Sequence, residues 1–440
     1  MLAVNLLRGD LRGALRIILI ERGQQIGRGL AYSHAPYPYL LNVPASRMSA
    51  SPANPTEFYD FARSRNAEYG SDDFLPRDLY GEYLEGLLHK ARAESTAELR
   101  IVCGEVLAIT GGSGQPFDLN LRGAPSINAD QVVLCIGAPP AAPVCVLEPS
   151  AKTQNHVGFA YESHLDLTGA QEILLLGTGL TMADIAIAAD AQNPTVVVHA
   201  LSRHGLLPKA QTLGPPVPVN LFDIDALPDT SLRTIFRLSR RLAEEVARHG
   251  GDWRDVVVSL RGIASRLWAR WTEKERRRFL VHLRVYWDIY RHRLPPQTMA
   301  HLQRMRDANR LRVYAGHLRR LRSEGTRIQA DWIARSGAQP FTGEFDRVIN
   351  CTGSNCPLDR WNDPLVQMLR AQGFISADGL GLGLSTGKNG VVIGMNGKPM
   401  DELHYLGPML RADHWEATAT TELRHHATNL ARHLLQWRRP

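Results

Sequence analysis

The segment EILLLGTGLTMADIAIAAD, Glu172 to Asp190, constrains the fold more than any other part of this chain. A run of buried-strand character, Ile173 to Leu176, enters Gly177-Thr178-Gly179, and an apolar helical pattern through Met182, Ile185, Ala186 and Ala189 follows. The first glycine permits a tight turn. The second lets main chain approach a pyrophosphate, and the new helix aims its unpaired N–H groups and positive dipole end at that anion. The spacing predicts a dinucleotide-binding unit in which Gly177, Thr178, Gly179, Leu180 and Thr181 meet the cofactor. Met182 stands where a third glycine or alanine is usual, which predicts looser packing of helix on strand. A strand-to-helix turn with no ligand is the plainer reading of the same residues.

The next strand, Thr195 to Gly205, ends in Ser202-Arg203-His204. An acid at this place holds a ribose 2′-hydroxyl and repels a 2′-phosphate. A hydroxyl and a guanidinium attract the phosphate. NADPH is therefore expected over NADH, with Ser202 and Arg203 at the phosphate. The alternative for Arg203 is a solvated loop residue.

A second, partial unit opens the chain. An amphipathic stretch from Met1 to about Leu11 leads into an apolar strand, Arg16 to Ile20, and Glu21 closes it where a ribose-binding acid belongs. This is the second half of a βαβ unit. The expectation is a native start further upstream, supplying a strand and a glycine-rich loop; the alternative is a broken first site.

Two further strands, within Ala129–Pro143 and Phe345–Pro357, end in Cys135-Ile136-Gly137 and Cys351-Thr352-Gly353. Each runs into a sharp glycine turn after a nucleotide unit, as in chains that cross between tandem flavin and nicotinamide domains. The expected fold is α/β, with two tandem Rossmann-like dinucleotide-binding domains (three-layer ββα type) and a helical insertion. Residues 1–154 and 356–440 would form the FAD domain, and 155–355 the NAD(P) domain with an insertion at about 229–309. Within the insertion, Tyr286, Trp287, Arg291, His292 and Arg293 cluster, and Asp288, Arg291 and His292 share a helix face. That face suits an acidic or planar substrate or a cofactor phosphate; a surface ion pair is the alternative.

Bulk composition narrows the partners. With 44% hydrophobic and 22% charged residues over 440 positions, the chain has ordinary globular composition. No run approaches the ~18 apolar residues of a membrane span. Five scattered cysteines suit reduced thiols in a cytoplasm. The net charge of +7 is modest, and Glu244, Glu245, Asp252, Asp255, Glu273 and Glu275 interrupt the basic helices, so nucleic acid is not expected. No HExxH pair or G-x-S-x-G elbow is present, so neither a metal site nor hydrolase chemistry is expected. Cys351 and Cys356 have C-x4-C spacing but sit late in the chain, away from where a flavin disulfide would stand. Near the C-terminus, Asp413 is the expected helix cap, with Trp415 and Glu416 in the first turn and Leu423, Ala427, Leu430 and Leu434 on one face.

The strings IGRGLAY (Ile26–Tyr32), LLNVPASRMSA (Leu40–Ala50), PRDLYGEYL (Pro76–Leu84), GTGLTMAD, LSRHGLLP, RVYWDIYRHRLPP (Arg284–Pro296), INCTG and YLGPMLRADHWEATATTELR (Tyr405–Arg424) carry a resemblance. The chain resembles bacterial flavoproteins of the FAD-NAD(P)-binding family that includes FAD-dependent urate hydroxylases and, more distantly, flavin N-hydroxylating monooxygenases. The resemblance implies FAD in the first domain, with Glu21 on the adenosine ribose and Arg28, Gly29, Asn42 and Val43 lining the flavin. It places Val106 at the adenine and Gly137 and Gly353 at the crossings. Independently of the resemblance, the electropositive helix start carrying Trp415 and Glu416 would stabilise the reduced anion if set at the flavin edge, with Gly407 letting main chain pass the ring; a plain docking helix is the alternative. Asn42 offers both donor and acceptor; a turn cap is its bland alternative. The implied activity is an FAD-dependent, NAD(P)H-oxidising monooxygenase that uses O2 to hydroxylate a small nitrogen-rich molecule, urate or an amine. An NAD(P)H-dependent flavoprotein reductase, or a binding protein with a degenerate flavin site, are the alternatives.

Overall fold

The computed structural model describes residues 1–35, 37–112, 114–144, 157–161, 165–214, 216–217, 219–337 and 340–437. The chain opens with helix α1 (Leu2–Gly9) and strand β1 (Arg16–Glu21), close to the expected bounds. Short helix α2 (Gly29–Tyr32), α3 (Glu57–Arg65) and the long α4 (Arg77–Glu94) lead to β2 (Glu98–Cys103), which pairs in parallel with β1 from Arg16↔Glu98 to Glu21↔Cys103. Both faces of β1 are packed: Ile17 and Leu19 meet the cluster of α1, α3 and α4, while Ile18 and Ile20 meet the cluster that holds Val132 and Leu134. That two-sided burial explains why the strand reads as continuous apolar residues.

An antiparallel meander follows, β3 (Val106–Thr110), β4 (Phe117–Leu121) and β5 (Ala124–Ala129). Strand β6 (Val132–Leu134) then pairs in parallel with the much later β15 (Pro399–Tyr405), which is flanked by β14 (Val391–Ile393). A seven-stranded sheet, ordered β12-β11-β10-β9-β8-β13-β7, dominates the second half of the chain. Its parallel part contains β7 (Val157–Phe159), β8 (Glu172–Leu176), β9 (Val197–Ser202), the first half of β10 (Leu311–Glu324) and β13 (Arg347–Asn350). The antiparallel part is β10 with β11 (Arg327–Ala334) and β12 (Pro340–Phe345).

Helix α5 (Leu180–Gln192) packs on this sheet and is buried nearly all round. Met182 is fully buried among Ile173, Leu175 and Val198, so the expected loosening at that position is not found: the thioether side chain fills the space instead. Between β9 and β10 lies the expected helical insertion, α6 (Leu232–Arg248), α7 (Trp253–Arg270), α8 (Glu273–Arg278), a π-turn at Phe279–Leu283, α9 (Arg284–Arg291) and α10 (Pro296–Asp307). Helix α11 (Pro364–Ala371) precedes β14, and α12 (Thr420–Gln436) ends the described chain. Asp413 does not cap α12. It closes a 3-10 turn, Pro408–Ala412, and its carboxylate accepts a hydrogen bond from Thr386 Oγ1 at 2.7 Å. Trp415 and Glu416 therefore lie in a turn before the helix. No described helix is long and apolar enough to cross a membrane.

Candidate dinucleotide and substrate site

The glycine turn is built as the sequence predicts. Gly177 has φ +112°, and a Cβ there would stand 2.5 Å from the Cys351 carbonyl oxygen. Only glycine permits β8 to turn against the β13 crossing. Gly179 is different: a Cβ there would meet nothing within 4 Å. The first return bond of α5 runs from the Ala183 N–H to the Gly179 carbonyl at 3.2 Å, so the N–H groups of Leu180 and Thr181 precede the helical ladder. Open space at Gly179 and bare amides behind it fit a pyrophosphate.

Thr178 and Ser202 tie the turn from within. Thr178 Oγ1 donates to the Leu206 carbonyl at 2.6 Å and lies 2.9 Å from Ser202 Oγ, which accepts from the Gly205 N–H at 3.0 Å. These two hydroxyls are committed to the loop, while Arg203 stands exposed beside them. Position therefore divides the trio: two residues shape the turn and one is accessible to a ligand.

The two crossings lie side by side. Asn350 donates to the Ala142 carbonyl at 2.9 Å and accepts from Thr352 N at 3.1 Å, and the Cys356 N–H donates to the Pro140 carbonyl at 3.1 Å. Gly137 and Gly353 both have positive φ, +75° and +77°. Tyr405 Oη donates to the Gly137 carbonyl at 2.7 Å and accepts from Met409 N at 3.1 Å, which fixes the path past Gly407.

At the first site, Glu21 ends β1 and accepts from the Gly23 N–H at 3.2 Å. Gly27 and Gly29 have positive φ and open space where a Cβ would be. Arg28 is turned toward α4: its Nη2 lies 2.7 Å from Glu85, which raises the guanidinium pKa, and its Nε has no hydrogen-bond partner. Val43 and Val106 pack against apolar clusters, and Asn42 is partly buried.

A cleft of about 280 Å³ opens at the nicotinamide turn, lined by Gly179, Leu180, Thr181 and Gly353 together with Arg284, Asp288, Arg411, Trp415 and Glu416. Glu416 is only 4% exposed. It accepts from Arg291 Nε at 2.8 Å and Trp287 Nε1 at 3.2 Å, with Arg261 Nε at 3.5 Å. Trp415 stacks on Trp268 with ring centroids 4.7 Å apart, and its buried indole N–H has no partner among the described residues. The helix face expected to join Asp288 with Arg291 is divided: Asp288 pairs with Arg284 at 3.3 Å and Arg291 turns to Glu416. Burial raises the Asp288 pKa against the pull of Arg284. His292 is driven down to about 3, first by burial and then by nearby arginines, so it is neutral.

Sequence reasoning missed the brace between the two halves. Arg77, at the start of α4, places Nη2 2.7 Å from Asp184 on α5, and Tyr161 donates to the same carboxylate oxygen at 2.8 Å. Arg77 Nε also donates to the Leu40 carbonyl at 3.0 Å. Burial raises the Asp184 pKa, and Arg77 and the Tyr161 hydroxyl pull against that rise. The arginine lies in the PRDLYGEYL string, but nothing local connects it with a residue 107 positions away.

This fold, with its paired crossings and two turn sites, is that of Rossmann-type flavoproteins that hold FAD and a nicotinamide dinucleotide. Residues 1–139 match a family model described as FAD-NAD(P)-binding. Solved structures with the same fold include the ornithine N-hydroxylase of Kutzneria sp. 744, with reduced FAD, NADP+ and L-ornithine (TM-score 0.63, 15% identity, 98% of this chain and 95% of that one). The L-lysine 6-monooxygenase of Pseudomonas syringae superposes with TM-score 0.64 at 15% identity, over 98% of this chain and 96% of that one. The thioredoxin reductase of T. acidophilum is more distant, with TM-score 0.51 at 11% identity, over 99% of this chain and 93% of that one. No curated protein matches the sequence.

Proposed function

We propose that this protein is an FAD-dependent oxidoreductase that oxidises NADPH and hydroxylates a small nitrogen-containing substrate with O2. The supporting observation is the cleft in which the Gly179–Thr181 helix start faces the Trp415–Glu416 turn. Residues 1–154 and 356–440 would hold FAD, and 155–355 the nicotinamide cofactor.

FAD, when bound, supplies a hydride acceptor and the reaction with O2. The chain supplies position and field. The bare amides of Leu180 and Thr181 bind the dinucleotide pyrophosphate, and Arg203 takes the 2′-phosphate. Glu21 stands at a strand end where a ribose binds, and the empty space over Gly27 and Gly29 admits a close main-chain approach. Trp415 lines the cleft, and its buried indole N–H has no partner among the described residues. Glu416 is neutralised by Arg291 and Arg261 and so acts as a tether between α9, α7 and the turn before α12, not as a free base.

The substrate class is an amine in preference to urate. Two of the similar structures named above are an ornithine N-hydroxylase and an L-lysine 6-monooxygenase, and a cadaverine monooxygenase from Erwinia amylovora shares the fold at TM-score 0.61 and 12% identity. A reductase relaying electrons through a thiol pair is the second reading. Cys351 and Cys356 are free, and burial raises both thiol pKa values, which keeps Cys351 and Cys356 in the poorly nucleophilic form. The test is NADPH oxidation by the FAD-loaded protein with diamines and basic amino acids. Hydroxylated product formed in step with NADPH supports the reading. NADPH consumption unaffected by every amine, with peroxide as the whole output, removes it.

A further inference from the structure

Arg293 is 7% exposed, and its Nε and Nη1 are buried without a hydrogen-bond partner among the described residues. No salt bridge reaches it among the described residues. A buried guanidinium in that state is costly, because desolvation is not repaid by any acceptor. Its neighbours deepen the deficit. Arg254, Arg291 and Arg47 all lie close enough to oppose its charge, and burial with these three brings its pKa down to about 10.

The nearby acids are already committed. Asp252 caps α7 and holds Arg254 at 3.0 Å, while Glu416 holds Arg291. Arg254, Arg47 and the residue after Arg293 come from distant parts of the chain and converge on one segment, residues 209–214. Arg254 Nε donates to the Ala210 carbonyl at 2.9 Å, and Arg47 Nη2 to the Gly214 carbonyl at 3.3 Å. Leu294, next to Arg293, bridges to Ala210, with the Gln211 N–H donating to the Leu294 carbonyl at 2.8 Å. Arg47 itself lies within the Leu40–Met48 stretch that carries Asn42 and Val43.

We propose that Arg293, with Arg47 and Arg254 beside it, is a receptor for an oxyanion, a carboxylate or phosphate carried by a ligand of this protein. Nε and Nη1 of Arg293 each share an edge of the planar guanidinium with Nη2, and an oxyanion at one edge takes that pair at once. It also neutralises the surplus positive charge that the protein's own acids leave. None of these arginines belongs to the Gly177–Thr181 turn, and the site does not rest on the hydroxylase reading.

Inorganic phosphate is the first probe, by calorimetric titration and thermal melting of wild type and Arg293→Met. Wild type binds and melts higher with phosphate. Arg293→Met folds, melts no lower than wild type without phosphate, and binds phosphate roughly tenfold or more weakly. Arg203→Ala keeps the Arg293-dependent binding. Arg47→Gln, a partly exposed change, weakens it too, and carries the test if the methionine variant does not fold. Repeating the titration with saturating NADP+ separates the sources. Loss of the Arg293-dependent binding assigns the anion to the cofactor, and its persistence assigns it to a substrate carboxylate. Undiminished phosphate affinity in Arg293→Met, or in Arg47→Gln where that variant stands in, overturns the proposal and leaves Arg293 a structural residue.

Discussion

Gly177 and Cys351 are in main-chain contact: the position of a Cβ on Gly177 lies 2.5 Å from the Cys351 carbonyl oxygen. One crossing strand thus presses directly on the nucleotide turn. Gly177→Ala meets both this clash and a φ of +112°, and loses at least ~2 kcal/mol of stability. Gly179→Ala meets no protein atom and keeps the wild-type melting temperature, but its methyl occupies the ligand's approach. Thermal melting paired with NADPH titration separates the two glycines: the first variant fails in both, the second in titration alone.

Arg203 is exposed while Ser202 is tied to Thr178 and Gly205. Arg203→Ala weakens NADPH by roughly ten- to a hundredfold, the worth of a charge-assisted contact, and leaves NADH unchanged. Ser202→Ala loosens the turn and weakens both cofactors alike. Parallel titrations with the two dinucleotides check the difference.

Arg77→Met strands the Asp184 carboxylate inside the protein. The expected loss is ~3–5 kcal/mol, typical of breaking a buried pair from one side. The double variant Arg77→Met with Asp184→Leu recovers part of it. Urea unfolding of the two single variants and the double one measures the coupling.

His404 supplies a pH dependence of stability. Burial, with the His433 ring 5.5 Å away, lowers its pKa to about 4 in the folded chain, against an ordinary value of 6.5. The unfolded chain therefore binds more protons between these values. Stability is full above pH 6.5 and falls as the pH drops toward 4, by on the order of 3 kcal/mol from this group. Unfolding midpoints measured across that range decline in wild type, and the decline is smaller in His404→Gln.

What was legible in the sequence was local. Gly177 to Thr181 could be read because strand, turn and helix are contiguous, and the insertion because its helices carry their own periodicity. Asp413 was misread because its partner is Thr386, 27 residues earlier, while α12 starts at Thr420 without a side-chain cap. Helical spacing paired Asp288 with Arg291, but Glu416, 125 residues on, takes the arginine instead. The Arg77–Asp184 brace and the convergence of Arg47, Arg254 and Arg293 depend on tertiary distance, which spacing does not encode.

The most direct test of the whole account is the visible spectrum of the FAD-loaded protein during anaerobic addition of NADPH. The account predicts loss of the flavin absorbance, faster with NADPH than with NADH, and slowed for NADPH in Arg203→Ala. An unchanged spectrum in protein shown to hold both dinucleotides would contradict it.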